Sequence, residues 1–297
     1  MSITFRNYTS KPLHTPDYEK VREFLIRINS DKFHELRMPW GAWEWNVTHQ
    51  NLDRTNLDKI GLWEDSAEIV ALAMYESVLG EGFLIAAPGY ESLKPELVKY
   101  AKENLRNDEG KLKILICDGD YDFARIARDN SFRPTQEKDN NAVLDIDKMP
   151  HYSLPEGFSF ASMAEGWNYE QYNRVMRRSF RGDENPEYNE EIAATRKLML
   201  SSPMIIPELV VAVVAPSGNY ASHCGMWYKP GEFYCYVEPV ATDPNYRKLG
   251  LGKAVVLEAI SRCAKLGAKQ AMVGSSQQFY YNIGFNPVKT MTYWELT

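Results

Sequence analysis

The chain has 297 residues, 44% of them apolar, a formal net charge of −6 and a pI near 5.5. That length suits two domains or one large one. The acidic balance argues against nucleic acid as the main partner; it is mildly compatible with a cationic substrate, and the ordinary acidity of a soluble protein accounts for it more readily. No apolar run approaches the roughly 18–20 residues that span a membrane. The first residues, Met1 to Tyr8, lack a charged-then-apolar signal pattern, so a cytoplasmic location is the expectation.

In chain order, residues 3–8 read as a strand, and Thr15-Pro16 opens a helix that runs to about Asn29, with Thr as N-cap and Pro at the first helical position. The segment Phe33 to Trp45 holds Trp40, Trp43 and Trp45, which suit core or interface packing and also the lining of an acceptor pocket. Strands follow near 60–64, 67–76 and 82–87, then a helix from Leu93 to Leu105, a strand from Leu112 to Cys117, a helix from Tyr121 to Asn130 and a strand from Asn141 to Ile146. Asp147 to Gly157 carries Pro150 and Pro155 without periodicity and reads as a linker. The second half has a strand from Phe158 to Ser162 and helices over 168–181 and 188–201. Strands at 209–215 and 220–228 flank the turn Pro216-Ser-Gly-Asn219. A strand to Thr242, a helix from Leu251 to about Leu266, a strand at 269–273, a helix at 276–283 and a strand from Phe285 to Leu296 complete the chain.

The two halves repeat this order, and some residues recur with it. Pro88-Gly-Tyr90 returns as Pro244-Asn-Tyr246, Phe132-Arg-Pro134 as Phe285-Asn-Pro287, and Tyr18-Glu19 as Tyr169-Glu170, at offsets of 156, 153 and 151 residues. Similar offsets across separate elements predict two domains of one fold, over 1–147 and 158–297, with 148–157 between them.

One stretch of the second half carries a chemical signal. Tyr236 to Thr242 is strand-like, Asp243-Pro-Asn is turn chemistry, and Arg247-Lys-Leu-Gly-Leu-Gly252 opens an apolar-faced helix. Glycines at a helix start let backbone N–H groups approach a ligand, and the positive end of the helix favours a phosphate. Arg247, Lys248 and Lys253 add charge of the right sign. In the first half the matching positions are Glu91 for Arg247, Lys94 for Gly250 and Glu96 for Gly252, with Pro95 between. That copy is expected to keep the fold without the anion site. Cys117, Cys224, Cys235 and Cys263 form no C-x-x-C pair, so neither a zinc site nor a disulfide framework is expected and no metal is assigned. His223, in a strand, reads as a structural histidine.

Val240-Ala-Thr-Asp-Pro-Asn-Tyr-Arg-Lys-Leu-Gly-Leu-Gly252, followed by Phe279-Tyr280-x-x-x-Gly284-Phe285, resembles the GNAT superfamily of acyl-CoA-dependent N-acetyltransferases, over about 158–297. The whole chain is similar to tandem GNAT proteins with a degenerate first copy. The resemblance implies an α/β (α+β) fold of two mixed, mostly antiparallel sheets flanked by helices. It also implies acetyl-CoA as co-substrate, a small amine acceptor, and neither nucleic acid nor membrane as partner. By the same resemblance, the N–H groups of Leu249, Gly250, Leu251, Gly252 and Lys253 would hold the pyrophosphate, helped by Arg247 and Lys248. The backbone of Val240, Ala241 and Thr242 would pair with the pantetheine arm, and Ser275 would contact it. Tyr280 matches the general acid, and Pro239 marks the bulge where strands part. Glu238 is the candidate base, with positioning of substrate or a water chain as the alternatives. Two rival functions remain open: a non-catalytic acyl-CoA-binding or regulatory module, and an acyltransferase using a longer acyl-CoA.

Overall fold

In the computed structural model, which describes residues 3–11, 13–30 and 38–297, the chain forms two compact units. Unit 1 is Met1–Val47, Asn51–Asn141 and Pro287–Thr297; unit 2 is Thr48–Gln50 and Ala142–Asn286. The elements begin with β1 (Thr4–Asn7), α1 (Pro16–Arg27), α2 (Trp40–Thr48), β2 (Gly61–Asp65), β3 (Glu68–Tyr75), β4 (Glu81–Ala86), α3 (Lys94–Asn104), β5 (Lys113–Cys117), α4 (Tyr121–Asp129) and β6 (Phe132–Asp145). They continue with β7 (Ser159–Ser162), α5 (Tyr169–Arg181), α6 (Glu190–Met199), β8 (Val210–Val214), β9 (Tyr220–Trp227), β10 (Tyr234–Thr242), α7 (Leu251–Lys265), β11 (Gln270–Val273), α8 (Gln278–Ile283) and β12 (Asn286–Leu296).

The strand order is β1-β2-β3-β4-β5-β12-β6 in unit 1 and β6-β11-β10-β9-β8-β7 in unit 2. The pairs β1–β2, β2–β3, β3–β4, β5–β12, β6–β11, β9–β10, β8–β9 and β7–β8 are antiparallel, and β4–β5 and β10–β11 are parallel. The compact units do not coincide with a division of the sequence at 148–157. The C-terminal β12 completes the sheet of unit 1, with Met291 opposite Cys117 and Glu295 opposite Lys113. Residues 142–145, the end of β6, complete the sheet of unit 2 beside β11.

The local signals act as their chemistry dictates. Thr15 caps α1 by accepting from the Tyr18 N–H at 3.1 Å, with Pro16 behind it. Asn168 and Asn189 cap α5 and α6 in the same way. β6 starts at Phe132, well before the strand expected from Asn141, because its polar run Arg133 to Asn140 carries no apolar alternation to announce it. Trp40, Trp43 and Trp45 lie buried on α2; residues 33–37 of the same aromatic stretch fall outside the described residues.

In unit 2, β9 is buried along its whole length because helices cover both faces of the sheet. His223 meets the Tyr172 ring of α5, with centroids 5.0 Å apart, whereas its neighbour Cys224 belongs to the apolar core with Val255 and Val256 of α7. Successive strand residues face opposite sides, so α5 and α7 sandwich β9 and β10. Between them they hold the C-terminal half of β10, where the site forms.

Candidate functional site

β10 and β11 pair only through Tyr234, Cys235 and Tyr236, opposite Gln270, Ala271 and Met272. Beyond that point β10 bulges. Val237 lies opposite Met226 of β9 and Val240 opposite Cys224, which sets both Glu238 and Pro239 against Gly225. The Glu238–Pro239 peptide is cis. β10 then runs on to Thr242 without β11 beside it, and a cavity of about 690 Å³ opens along it. Val240, Ala241 and Thr242 line it, together with Tyr246 to Lys248, Gly250 to Lys253, Gln277, Phe279, Tyr280, Ser179 and Phe180. All of these residues belong to unit 2.

The turn between β10 and α7 brings the start of a helix to the cavity. Lys248 and Gly250 take left-handed conformations, with φ of 64° and 79°. Intrahelical bonding begins with the Ala254 N–H donating to Gly250 O at 3.0 Å, so the N–H groups of Leu251, Gly252 and Lys253 precede the first helical bond. Fifteen residues of aligned peptide dipoles stand behind them. The two glycines serve different ends. A Cβ on Gly250 would meet nothing within 4 Å, so the backbone conformation is what requires glycine there. A Cβ on Gly252 would lie 3.0 Å from Thr242 Oγ1 and 3.2 Å from the Phe279 ring, so close packing of α7 requires glycine there.

Asp243 fixes this turn. Fully buried, it accepts from Arg178 Nε at 2.8 Å and pairs with Arg174 Nη1 at 2.8 Å, both on α5, and its other oxygen accepts from the Asn245 N–H at 2.9 Å. Arg247 adds a second tie, its guanidinium donating to Thr242 O at 3.4 Å and to Ser179 O at 3.5 Å. α5 thus forms one wall of the cavity, and Phe180, 61% exposed, stands on it. None of Ser179, Phe180, Arg174 and Arg178 stood out in the sequence. The one available signal was the four-residue spacing of the two arginines, which puts both on one helix face.

Tyr280, 7% exposed, reaches the cavity from α8. Burial pushes its phenol well above the ordinary value, and the nearby Cys224 and Glu238 reinforce the shift, so the hydroxyl keeps its proton at neutral pH. Glu238 is close enough for its charge to bear on Tyr280, although it does not itself line the cavity. Tyr281 packs partly buried against the core, outside the lining. Leu249 is half exposed on the turn and Ser275 lies beyond the lining, its hydroxyl accepting from the Gln277 N–H at 3.2 Å. Gln277 is the N-cap residue of α8. His223 is fully buried among Trp167, Tyr172 and the sheet, and burial holds it neutral, with a pKa pushed down to about 3. Cys224 is also fully buried, its thiol held far above the ordinary range by burial.

The matching turn of unit 1 has another arrangement. The Gly89 N–H donates to Glu91 Oε1 at 3.1 Å, and the backbone N–H groups of Glu91 itself and of Gly89 hold the Glu91 carboxyl below its ordinary range. Trp63 Nε1 donates to Glu96 at 2.8 Å, and Lys94 pairs with Asp120 at 2.6 Å. A side-chain carboxylate thus occupies an N–H group of this turn.

Residues 170–285 match the model of the Acetyltransferase (GNAT) family. No curated protein matches the chain in sequence. Among solved structures, a GCN5-related N-acetyltransferase from Sphaerobacter thermophilus shares the fold with a TM-score of 0.60 at 14% identity, over 99% of this chain and 95% of that one. A tandem GNAT protein from the clavulanic acid biosynthesis pathway does so with a TM-score of 0.62 at 13% identity, over 99% and 98%. An N-myristoyltransferase from Saccharomyces cerevisiae, with bound myristoyl-CoA, gives 0.57 at 11% identity, over 99% and 78%. The mixed, mostly antiparallel sheets with helices on their faces are those of GNAT structures. The cavity beside β10 is therefore lined entirely by residues of the stretch 170–285, the part of the chain that matches the model of the acetyltransferase (GNAT) family.

Proposed function

We propose that unit 2 transfers an acetyl group from acetyl-CoA to a small amine by direct attack, without an acyl-enzyme. Acyl-CoA-dependent acyl transfer is the general chemistry of the family matched by residues 170–285; the acetyl donor and the amine acceptor are the added steps. The carrying observation is the convergence on one cavity of a cationic, N–H-rich helix start, an unaccompanied strand segment and a protonated phenol.

In this reading the first turn of α7, with Lys248 and Lys253, holds the pyrophosphate. Val240 to Thr242 offer their backbone to the pantetheine arm as a neighbouring strand would. Bound acyl-CoA supplies an activated acyl group. Tyr280 holds the proton that the departing thiolate needs, and Glu238 on the bulge draws the proton from the incoming amine, directly or through water. Burial keeps Cys224 a thiol, which disfavours it as a nucleophile. The acidic balance of the chain leans towards cationic acceptors.

Release of CoA thiol tests this, with acetyl-, succinyl- and longer acyl-CoA against polyamines, aminoglycosides and amino-acid derivatives. Turnover of acetyl-CoA on at least one amine is expected. Tight acyl-CoA binding with no turnover on any amine would replace the proposal with a non-catalytic binding role. A longer donor is the second reading, prompted by the fold shared with the N-myristoyltransferase, and faster turnover of long acyl-CoA would establish it.

A further inference from the structure

We infer that Gly225 and Trp227 of β9 are positioning residues that set the width of the gap beside β10, by seating the Glu238–Pro239 bulge against β9. The inference rests on the acyl-CoA reading of that gap. Where β10 carries two residues, β9 carries one, and that one is a glycine. A Cβ built on Gly225 would lie 2.7 Å from Glu238 O, 2.9 Å from Pro239 Cδ and 3.3 Å from the Glu238 carbonyl carbon. These neighbours are backbone and a ring, with no flexible end to swing aside. Gly225 is not among the residues of positive φ, so the position demands room and not conformational freedom. Two residues further along β9, the buried Trp227 donates its Nε1–H to the same Glu238 carbonyl at 3.0 Å.

The two residues act on one group. Gly225 clears the space that the carbonyl enters, and Trp227 supplies its hydrogen-bond donor. Pro239 has no N–H to contribute to the ladder, so the bond from Trp227 takes the place of regular pairing at the bulge. β11 lies on the other side of β10. Any side chain at 225 pushes the bulge away from β9 and towards the gap that Tyr236 opens. The same shift would carry Glu238 relative to Tyr280, whose hydroxyl its charge already influences.

The test uses the full-length protein and two ligands. CoA must enter the gap, whereas 3′-phospho-ADP, its nucleotide portion, needs only the turn at 248–253. Calorimetric titration of Gly225→Ala should show CoA affinity reduced at least about tenfold, or about 1.4 kcal/mol, with 3′-phospho-ADP bound as by the wild type. Unchanged CoA affinity, or equal loss for both ligands, would overturn the inference. Failure of the wild type to bind CoA would instead overturn the acyl-CoA reading beneath it. If Gly225→Ala does not fold, Trp227→Phe is titrated in the same way, since it keeps the ring and loses the donor. Selective weakening of CoA supports the inference, and no change or equal weakening overturns it.

Discussion

Tyr280 combines burial with access to the cavity, and that combination fits an acid better than a structural tyrosine. A phenol raised above its ordinary value of 10 stays protonated across the whole neutral range. Tyr280→Phe should therefore lower kcat by roughly 10²–10⁴ and leave acetyl-CoA affinity within about twofold; steady-state kinetics with calorimetry would check both. The sign of the pH effect follows from the same shift. Since Tyr280 loses its proton only above pH 10, no basic-side fall in wild-type kcat below that pH should disappear in Tyr280→Phe. The two glycines of the turn call for separate expectations. Gly250→Ala forces an L-residue to φ near 79°, costing about 1–2 kcal/mol in urea unfolding. Gly252→Glu, which copies Glu96 of the first half, should abolish CoA binding by excluding and repelling the phosphates.

At the scale of elements, the turn depends on α5. Asp243 receives two arginines of that helix and caps its own turn, so the turn before α7 and the wall carrying Phe180 are joined through one buried carboxylate. Removing one partner of a buried charge set leaves the others uncompensated, at about 3–5 kcal/mol. Asp243→Ala should lose stability of that order in urea unfolding and weaken CoA binding with it. The bulge of β10 is the other element-scale device. Pro239 identified it in sequence, because proline inside a central strand needs a break in the ladder. The partners across the bulge, Gly225 and Trp227, gave no local signal, since a strand glycine or tryptophan acquires this meaning only once the register is known.

For the whole molecule, the expectation is one acyl-CoA per chain. The two halves repeat their element order, yet the turn of unit 1 satisfies a backbone N–H with the Glu91 carboxylate, and at the sequence offset of 156 Lys94 and Glu96 take the places of Gly250 and Gly252. A phosphate there would meet negative charge where unit 2 presents Arg247. Calorimetry should give a stoichiometry of one CoA per chain, and a value of two would contradict the proposal that the first half is a copy without the anion site.

Local chemistry alone determined much of this protein. The helix cap at Thr15, the apolar period of α7, the turn residues at 243–245 and the pattern Arg247-x-x-Gly-x-Gly252 all act through neighbours along the chain, so the amino-acid order by itself makes them legible. Tertiary structure decided what depends on distant partners. It exchanged the last strands, giving β12 to unit 1 and residues 142–145 to unit 2, because a sheet is completed by whichever strand can pair there. It tied Arg174 and Arg178 to Asp243, 65 or more residues away, and set Gly225 beneath Glu238 on the next strand, where no periodicity reaches.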